Sequence, residues 1–209
     1  SPNFGGLAGT ERIPTLGEPL PEIVKKVEVT ENAVNWNDEV TLPYKPLVGT
    51  IATSPEIDSI DTMTPGKHGG NMDLPDVRPG ADIYLPVKVP GSLLYLGDCH
   101  AIQGDGELDG TAVEIPSLTT VKIELIKEWD INWPRLENED FIMSIGSTRP
   151  LENAVKIAYA DLIDWMVSEY DFDKWDAYML LTQIGKVRLA NIVDPNYTVG
   201  ASIDKDFLA

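Results

Sequence analysis

The sequence predicts an α+β protein: a β-rich body, sandwich-like or barrel-like, followed by a C-terminal helical hairpin. Three observations predict it. β-branched runs alternate with Gly/Pro breaks as far as about Lys127, apolar residues recur at steps of three and four after Pro150, and β character returns after Gly185.

The first twenty residues, SPNFGGLAGTERIPTLGEPL, are rich in glycine and proline and lack an apolar period, which predicts an irregular segment. Strands are expected over IVKKVEVT (23–30), PLVGTIATS (46–54), DIYLPVKV (82–89), SLLYLG (92–97) and TAVEIPSLTTVKIELI (111–126). In the last run Val121, Ile123 and Leu125 alternate with Lys122 and Glu124, the period of a strand with one buried face. After Pro150, Leu151, Ala154, Val155, Ala158, Leu162, Trp165 and Met166 form one helical face. Asp173 then caps a second helix with Ala177, Leu180, Leu181 and Ile184 as its stripe, and Gly185 ends it. The segment 186–203 returns to strand around Pro195. The expected division is 1–45, an irregular segment with the first strands, and 46–209, a β-rich domain carrying the helical pair at about 150–185.

The 209 residues, with 43% apolar and 24% charged side chains, suit a globular chain with a sizeable core. A net charge of -18 repels phosphate backbones and anionic headgroups, so nucleic acid and membrane surfaces are not expected partners. A neutral or cationic substrate, or a divalent metal, fits that field. Cys99 is the single cysteine, so no intrachain disulfide can form, which suits a reducing compartment; the expected location is cytoplasmic. No run approaches the roughly eighteen apolar residues of a membrane span, and no signal-peptide pattern is present.

Both histidines sit in glycine-rich loops with carboxylates close by, PGKHGGNMD (65–73) and GDCHAIQGDGELDG (97–110). Asp98 and His100 are two apart at a strand end, so both leave one face and could ligate one metal, with Cys99 pointing away. Asp105, Glu107 and Asp109 alternate before Gly110 like the first half of a calcium loop, but Pro116 stands where that loop needs a bidentate Glu. Two readings follow: a hard-cation site of another kind, or an acidic turn whose carboxylates cap N–H groups. Glu114 is a carboxylate among apolar neighbours and must be paired or serve a site. Gly69 and Gly70 allow close backbone approach, and Asn71 and Asp73 add polar atoms. Trp129, Trp133, Trp165 and Trp175 read as core or interface residues. No G-x-S-x-G, C-x-x-C, H-E-x-x-H or phosphate-binding glycine loop occurs.

The motifs PGKHGGNMD and LGDCHAIQGDGELDGTAVE, in this order with YLPVKVPGSLL between them, resemble the signature of the acetamidase/formamidase family. The resemblance runs from PLVGTIATSP to IGKVRLANIVDP. It implies a β-rich fold, hydrolysis of short amides and metal involvement at the Asp/His loops. On this reading Asp98 and His100, with Asp73, Asp105 or His68 as further donors, hold a divalent ion, zinc first and calcium as the alternative. Glu114 or Glu107 moves the proton, and His68, Gly69, Gly70 and Asn71 line the substrate.

Family chains carry a further N-terminal portion, so the partners expected are a small amide, that portion as a separate chain or missing fragment, and other copies in a homo-oligomer. The start at Ser1 fits an expression fragment, proteolysis or natural processing. In the last case the Ser1 hydroxyl is the nucleophile, its α-amine the base, and the acidic loops are structural calcium sites. A third reading is a non-catalytic, cation-stabilised binding subunit.

Overall fold

A computed structural model describes residues 3–9, 23–57 and 59–208; Ser1 lies outside the described residues. The class is α+β, with three antiparallel sheets and two helices near the C-terminus. The strands are β1 (Asn3–Gly9), β2 (Ile23–Val29), β3 (Ala33–Asn35), β4 (Thr41–Pro43), β5 (Leu47–Thr53), β6 (Gly69–Asn71), β7 (Asp82–Tyr84), β8 (Leu94–His100), β9 (Arg135–Glu137), β10 (Phe141–Thr148), β11 (Lys186–Asn191) and β12 (Tyr197–Asp204). The helices are α1 (Leu151–Glu169) and α2 (Lys174–Ile184). The sheets run β1-β2-β3-β4, β11-β12-β10-β9-β7 and β6-β5-β8.

The five-stranded sheet is the centre, and its two faces bury different partners because a strand alternates its side chains. Ile142 on β10 and Val199, Ala201 and Ile203 on β12 meet the helices, packing on Ala154, Ala158, Leu162, Trp165, Met166, Ala177 and Leu181. Gly146 shares that face, where a Cβ would strike the Ala154 carbonyl and the Ala158 nitrogen, so α1 lies directly on β10. The opposite face, with Leu136, Met143 and Ile145, packs on Ile51, Met72 and Leu74 around β5 and β6. The architecture is therefore helices, central sheet, second sheet. Val27, Val29 and Val34 of the β1–β4 sheet build a third cluster with Ala101 and Val113.

The expected helical stripe packs as the spacing predicts, with one polar member. Asp161 is buried on α1 and pairs with Arg135, whose Nε donates to Asp161 Oδ2 at 2.7 Å. The guanidinium also lies over the Trp129 and Trp165 rings, 5.4 and 5.1 Å from their centroids. Asp173 caps α2 as expected, accepting from the Trp175 and Asp176 nitrogens. Gly185 ends α2 at φ -59, so it is not a left-handed cap; a Cβ there would meet the Leu181 carbonyl oxygen at 2.5 Å.

Four expectations need correction. Within the first twenty residues, expected to be irregular, Asn3–Gly9 form β1, paired antiparallel with β2. The 82–89 run is strand only over Asp82–Tyr84, and the 92–97 run is shifted to Leu94–His100. The 111–126 run contains a single bridge residue, Glu114, and Val121, Ile123 and Leu125 are exposed. The alternation over 121–125 is real, but no strand of the described residues pairs with that stretch. No helix among the described residues is long and apolar enough to cross a membrane.

Candidate metal centre

Four carboxylates and one imidazole converge where β5, β6 and β8 meet the connection from β8 to β9, part of which is fastened to β11. Gly49 on β5 makes the floor. A Cβ there would lie 2.6 Å from Asp73 Oδ1 and 2.8 Å from Asp98 Oδ2, so any side chain would occupy the space of the two carboxylates. Asp73 follows β6, Asp98 and His100 lie at the end of β8, and Glu114 bridges to both His100 and Gly6. Glu107 arrives on a turn fastened to β11, where Gly106 N donates to the Leu189 oxygen at 3.0 Å and Ile192 N donates to the Gly106 oxygen at 3.1 Å.

Asp73, Asp98 and Glu107 adopt φ of 45, 58 and 48°, left-handed backbone that costs a non-glycine residue on the order of 1 kcal/mol. Strain at three converging carboxylates marks a functional site more than a packing solution. Asp73, Asp98 and His100 each offer one donor atom within 4.8 Å of the others, and so do His100, Glu107 and Glu114.

His100, 1% exposed, has a fixed orientation. Gln103 Nε2 donates to the Asp73 carbonyl at 2.6 Å and the Ala190 carbonyl at 3.1 Å, which leaves Gln103 Oε1 as an acceptor. His100 Nδ1 is 2.9 Å from that oxygen and must donate to it. Nε2 therefore faces Glu114 Oε1 at 3.2 Å and Asp98 Oδ1 at 3.4 Å, within ion-pair range but too poorly aligned for hydrogen bonds. Asp73 Oδ1 is likewise buried without a hydrogen-bond partner.

A lone pair cannot rest against two carboxylates, so Nε2 must carry a proton or a cation. Without a cation, burial opposes charging His100, but Asp98 and Glu114 outweigh it and raise its pKa to about 11. His100 in turn holds Asp98 below the usual carboxylate range. Burial, then the Glu107 charge, pushes Asp73 well up, and burial pushes Glu107 to about 7. No lysine or arginine among the described residues pairs with Asp73, Asp98, Glu107 or Glu114. The donor set thus fits a divalent cation: oxygen-rich, negative, and lacking any positive group but His100.

The surrounding shell is tied to β11 and the turn after it. Asn191 Nδ2 reaches Asp73 Oδ2 at 3.3 Å, Asp194 Oδ2 at 3.2 Å and the Asn71 carbonyl at 3.1 Å. Asn71 accepts from Thr50 and donates to Asp194 Oδ2 at 2.8 Å, so its amide braces the cluster rather than facing an open site. Gly70, at φ 98, lies under the His68 ring, which is half-buried; burial lowers its pKa. His68 is in neither donor set. Gly69, at φ 92, lies against the Ile51 carbonyl.

The structure places Asp105 elsewhere. Its carboxylate is half-exposed and held by Arg188 Nη1 at 2.8 Å, while Arg188 Nε binds Asp76 at 2.9 Å. Gly106, at φ 89, and Glu107 turn the chain between them, so alternate positions do not share a face here. Cys99 points away from the cluster, its Sγ 3.7 Å from Thr119 Oγ1. Sequence reasoning missed Gly49, Gln103, Asn191 and Asp194; the last two lie in the ANIVDP stretch, which carried resemblance but no charge pattern.

Residues 17–208 match the Acetamidase/Formamidase family. An acetamidase from Yersinia enterocolitica is 54% identical, with a TM-score of 0.95 over 100% of this chain and 66% of its own. An acetamidase from Bacillus halodurans is 33% identical, with a TM-score of 0.92 over 98% of this chain and 70% of its own. A formamidase from Methylophilus methylotrophus is 36% identical over 83 residues, which are 39% of this chain and 20% of that protein. This chain thus spans about two thirds of the solved relatives.

Proposed function

Since the chain belongs to the acetamidase/formamidase family, we propose that it carries the catalytic centre for hydrolysis of a small neutral amide to a carboxylate and ammonia or an amine. The observation that carries this reading is the buried His100 Nε2, without a hydrogen-bond partner and facing Asp98 and Glu114 in a cluster that lacks any other positive group. His100, Asp98 and Asp73 hold a divalent ion, with Glu107 or Glu114 completing the set; the imidazole favours zinc over calcium. Such an ion, when bound, supplies Lewis acidity toward water and an amide carbonyl.

The chain's own residues supply the rest. Gln103 fixes the His100 tautomer, as second-layer partners of metal-binding imidazoles do. Asp73 and Glu107 are buried, while the Asp98 and Glu114 side chains are 35 and 38% exposed, so the amide approaches from the Asp98 and Glu114 side. Glu114, reachable from solvent and next to the ion's ligand, takes a proton from water and returns it to the departing nitrogen; an unprotonated amine is a poor leaving group. The acidic field admits a neutral amide and a cation without hindrance.

Metal analysis of the purified chain with an amide-turnover assay tests the reading. About one divalent ion per chain is expected, lost together with turnover in His100→Ala. Glu114→Gln is expected to keep the ion and lose turnover by about 100-fold. Unchanged metal content and turnover in His100→Ala would overturn the assignment, and a bound ion with no turnover in any variant would favour a cation-stabilised binding subunit.

A further inference from the structure

Between Ile115 and Trp129 the chain is fastened at both ends and bare in the middle. Ile115 N donates to the Cys99 carbonyl at 3.0 Å, and Trp129 packs edge-on against Tyr84 at 5.0 Å. Among the described residues, no backbone group from 116 to 128 bonds to other backbone, and 115–126 contain no turn or bend. Val121, Ile123 and Leu125 alternate with Lys122 and Glu124, which pair with each other at 2.6 Å on the other face. Leu118, Ile123 and Leu125 are 98, 70 and 69% exposed. Exposed apolar extended chain with free N–H and C=O groups is a liability unless something pairs with it.

We propose that this arm pairs with the same arm of a second copy, forming an antiparallel two-stranded ribbon about a two-fold axis through Ile123. The order of residues selects that occupant. Centred on Ile123, the pairing sets Lys122 of each copy opposite Glu124 of the other, Val121 opposite Leu125, and Ile123 opposite its own mate. A centre one residue away sets Lys122 against Lys122 or Glu124 against Glu124, and parallel in-register pairing opposes like charges throughout. A self-complementary register with one good solution is what an isologous contact requires. Leu94, Tyr95 and Leu96 are also exposed, on the edge strand β8 whose Cys99 carbonyl holds the start of the arm.

Sedimentation velocity on the full chain and charge-swap variants reads this register directly. All the substituted positions are exposed, so the variants should fold. The wild type is expected to be dimeric at micromolar concentration. Lys122→Glu alone and Glu124→Lys alone each place like charges opposite twice and should weaken the dimer roughly tenfold. Mixing the two single variants restores both opposite-charge pairs in a heterodimer, and combining both changes in one chain restores the homodimer. A monomeric wild type, or single variants that dimerise as tightly as it does, would overturn the proposal. So would a monomer whose 118–126 amides become protected from exchange only when the unmatched third of the Yersinia acetamidase is added as a separate polypeptide; the arm would then belong to that portion.

Discussion

The helix-covered face of the central sheet and the acidic cluster behind its other face are built on opposite terms. On the helical face small residues let α1 meet β10, the buried charge of Asp161 is clasped by Arg135, and Ser144 Oγ is the buried polar atom left without a hydrogen bond. In the cluster, three carboxylate residues adopt left-handed backbone, Asp73 Oδ1 and His100 Nε2 lack hydrogen-bond partners, and burial raises two acids toward neutrality. The first region pairs its buried charge, whereas the second gathers four carboxylates around His100 as its single positive group. The difference supports the proposed ion site, because a cluster of this kind costs folding free energy that a bound cation would return.

Substitutions separate the two regions most sharply where the helical face loses its ion pair. Asp161→Ala leaves Arg135 buried without its partner and should cost about 3–5 kcal/mol in urea unfolding. Ion content per folded molecule should not change. Gln103→Leu should do the reverse in kind: ion affinity falls about 10–100-fold by isothermal titration, since His100 loses the acceptor that sets its tautomer.

The pH dependence of the chelator-treated chain sharpens the contrast. Glu107 rises from 4.5 to about 7 and His100 from 6.5 to about 11, so the folded state binds more protons than the unfolded between pH 4.5 and 11. Stability therefore falls as pH rises through that window. Calorimetry should show a lower midpoint at about pH 9 than at about pH 5, and a saturating divalent ion should flatten the slope by taking the proton's place. The smallest effect expected is Asp73→Asn, which removes a buried charge among Glu107, Asp98 and Asp194. At mildly alkaline pH it should stabilise the metal-free chain by about 1 kcal/mol while weakening ion binding.

Much of the fold was legible because periodicity reports local burial. The α1 stripe, the Asp173 cap and the 186–203 hairpin all follow from spacing and single residues. The 111–126 run misled for a physical reason: alternation states that one face should be covered but not which chain covers it. Asp98, His100, Glu107 and Glu114, which converge in the cluster, stood out in the sequence because charge in glycine-rich loops is conspicuous. Asp105 lies with Arg188 rather than in the cluster because alternate positions share a face only in extended chain, and Gly106 and Glu107 are left-handed. Gly49 acts by having no side chain, and Gln103 and Asn191 act through neutral amides whose partners are distant in sequence. No local pattern announces such residues.

The bonds from Asn191 to Asp73 and from Asn71 to Asp194 close loops of 118 and 123 positions. Contacts so far apart form after the local helices and hairpins, because each must overcome the entropy of closing a long loop. The acidic loops near His100 leave the ribosome well before β11 does, and until that strand docks they are uncoordinated anionic coil. On the proposed ion-binding reading, cation capture would be a closing event in biogenesis, and a cell short of the ion would accumulate chains that have secondary structure but an unsealed seam between the sheets.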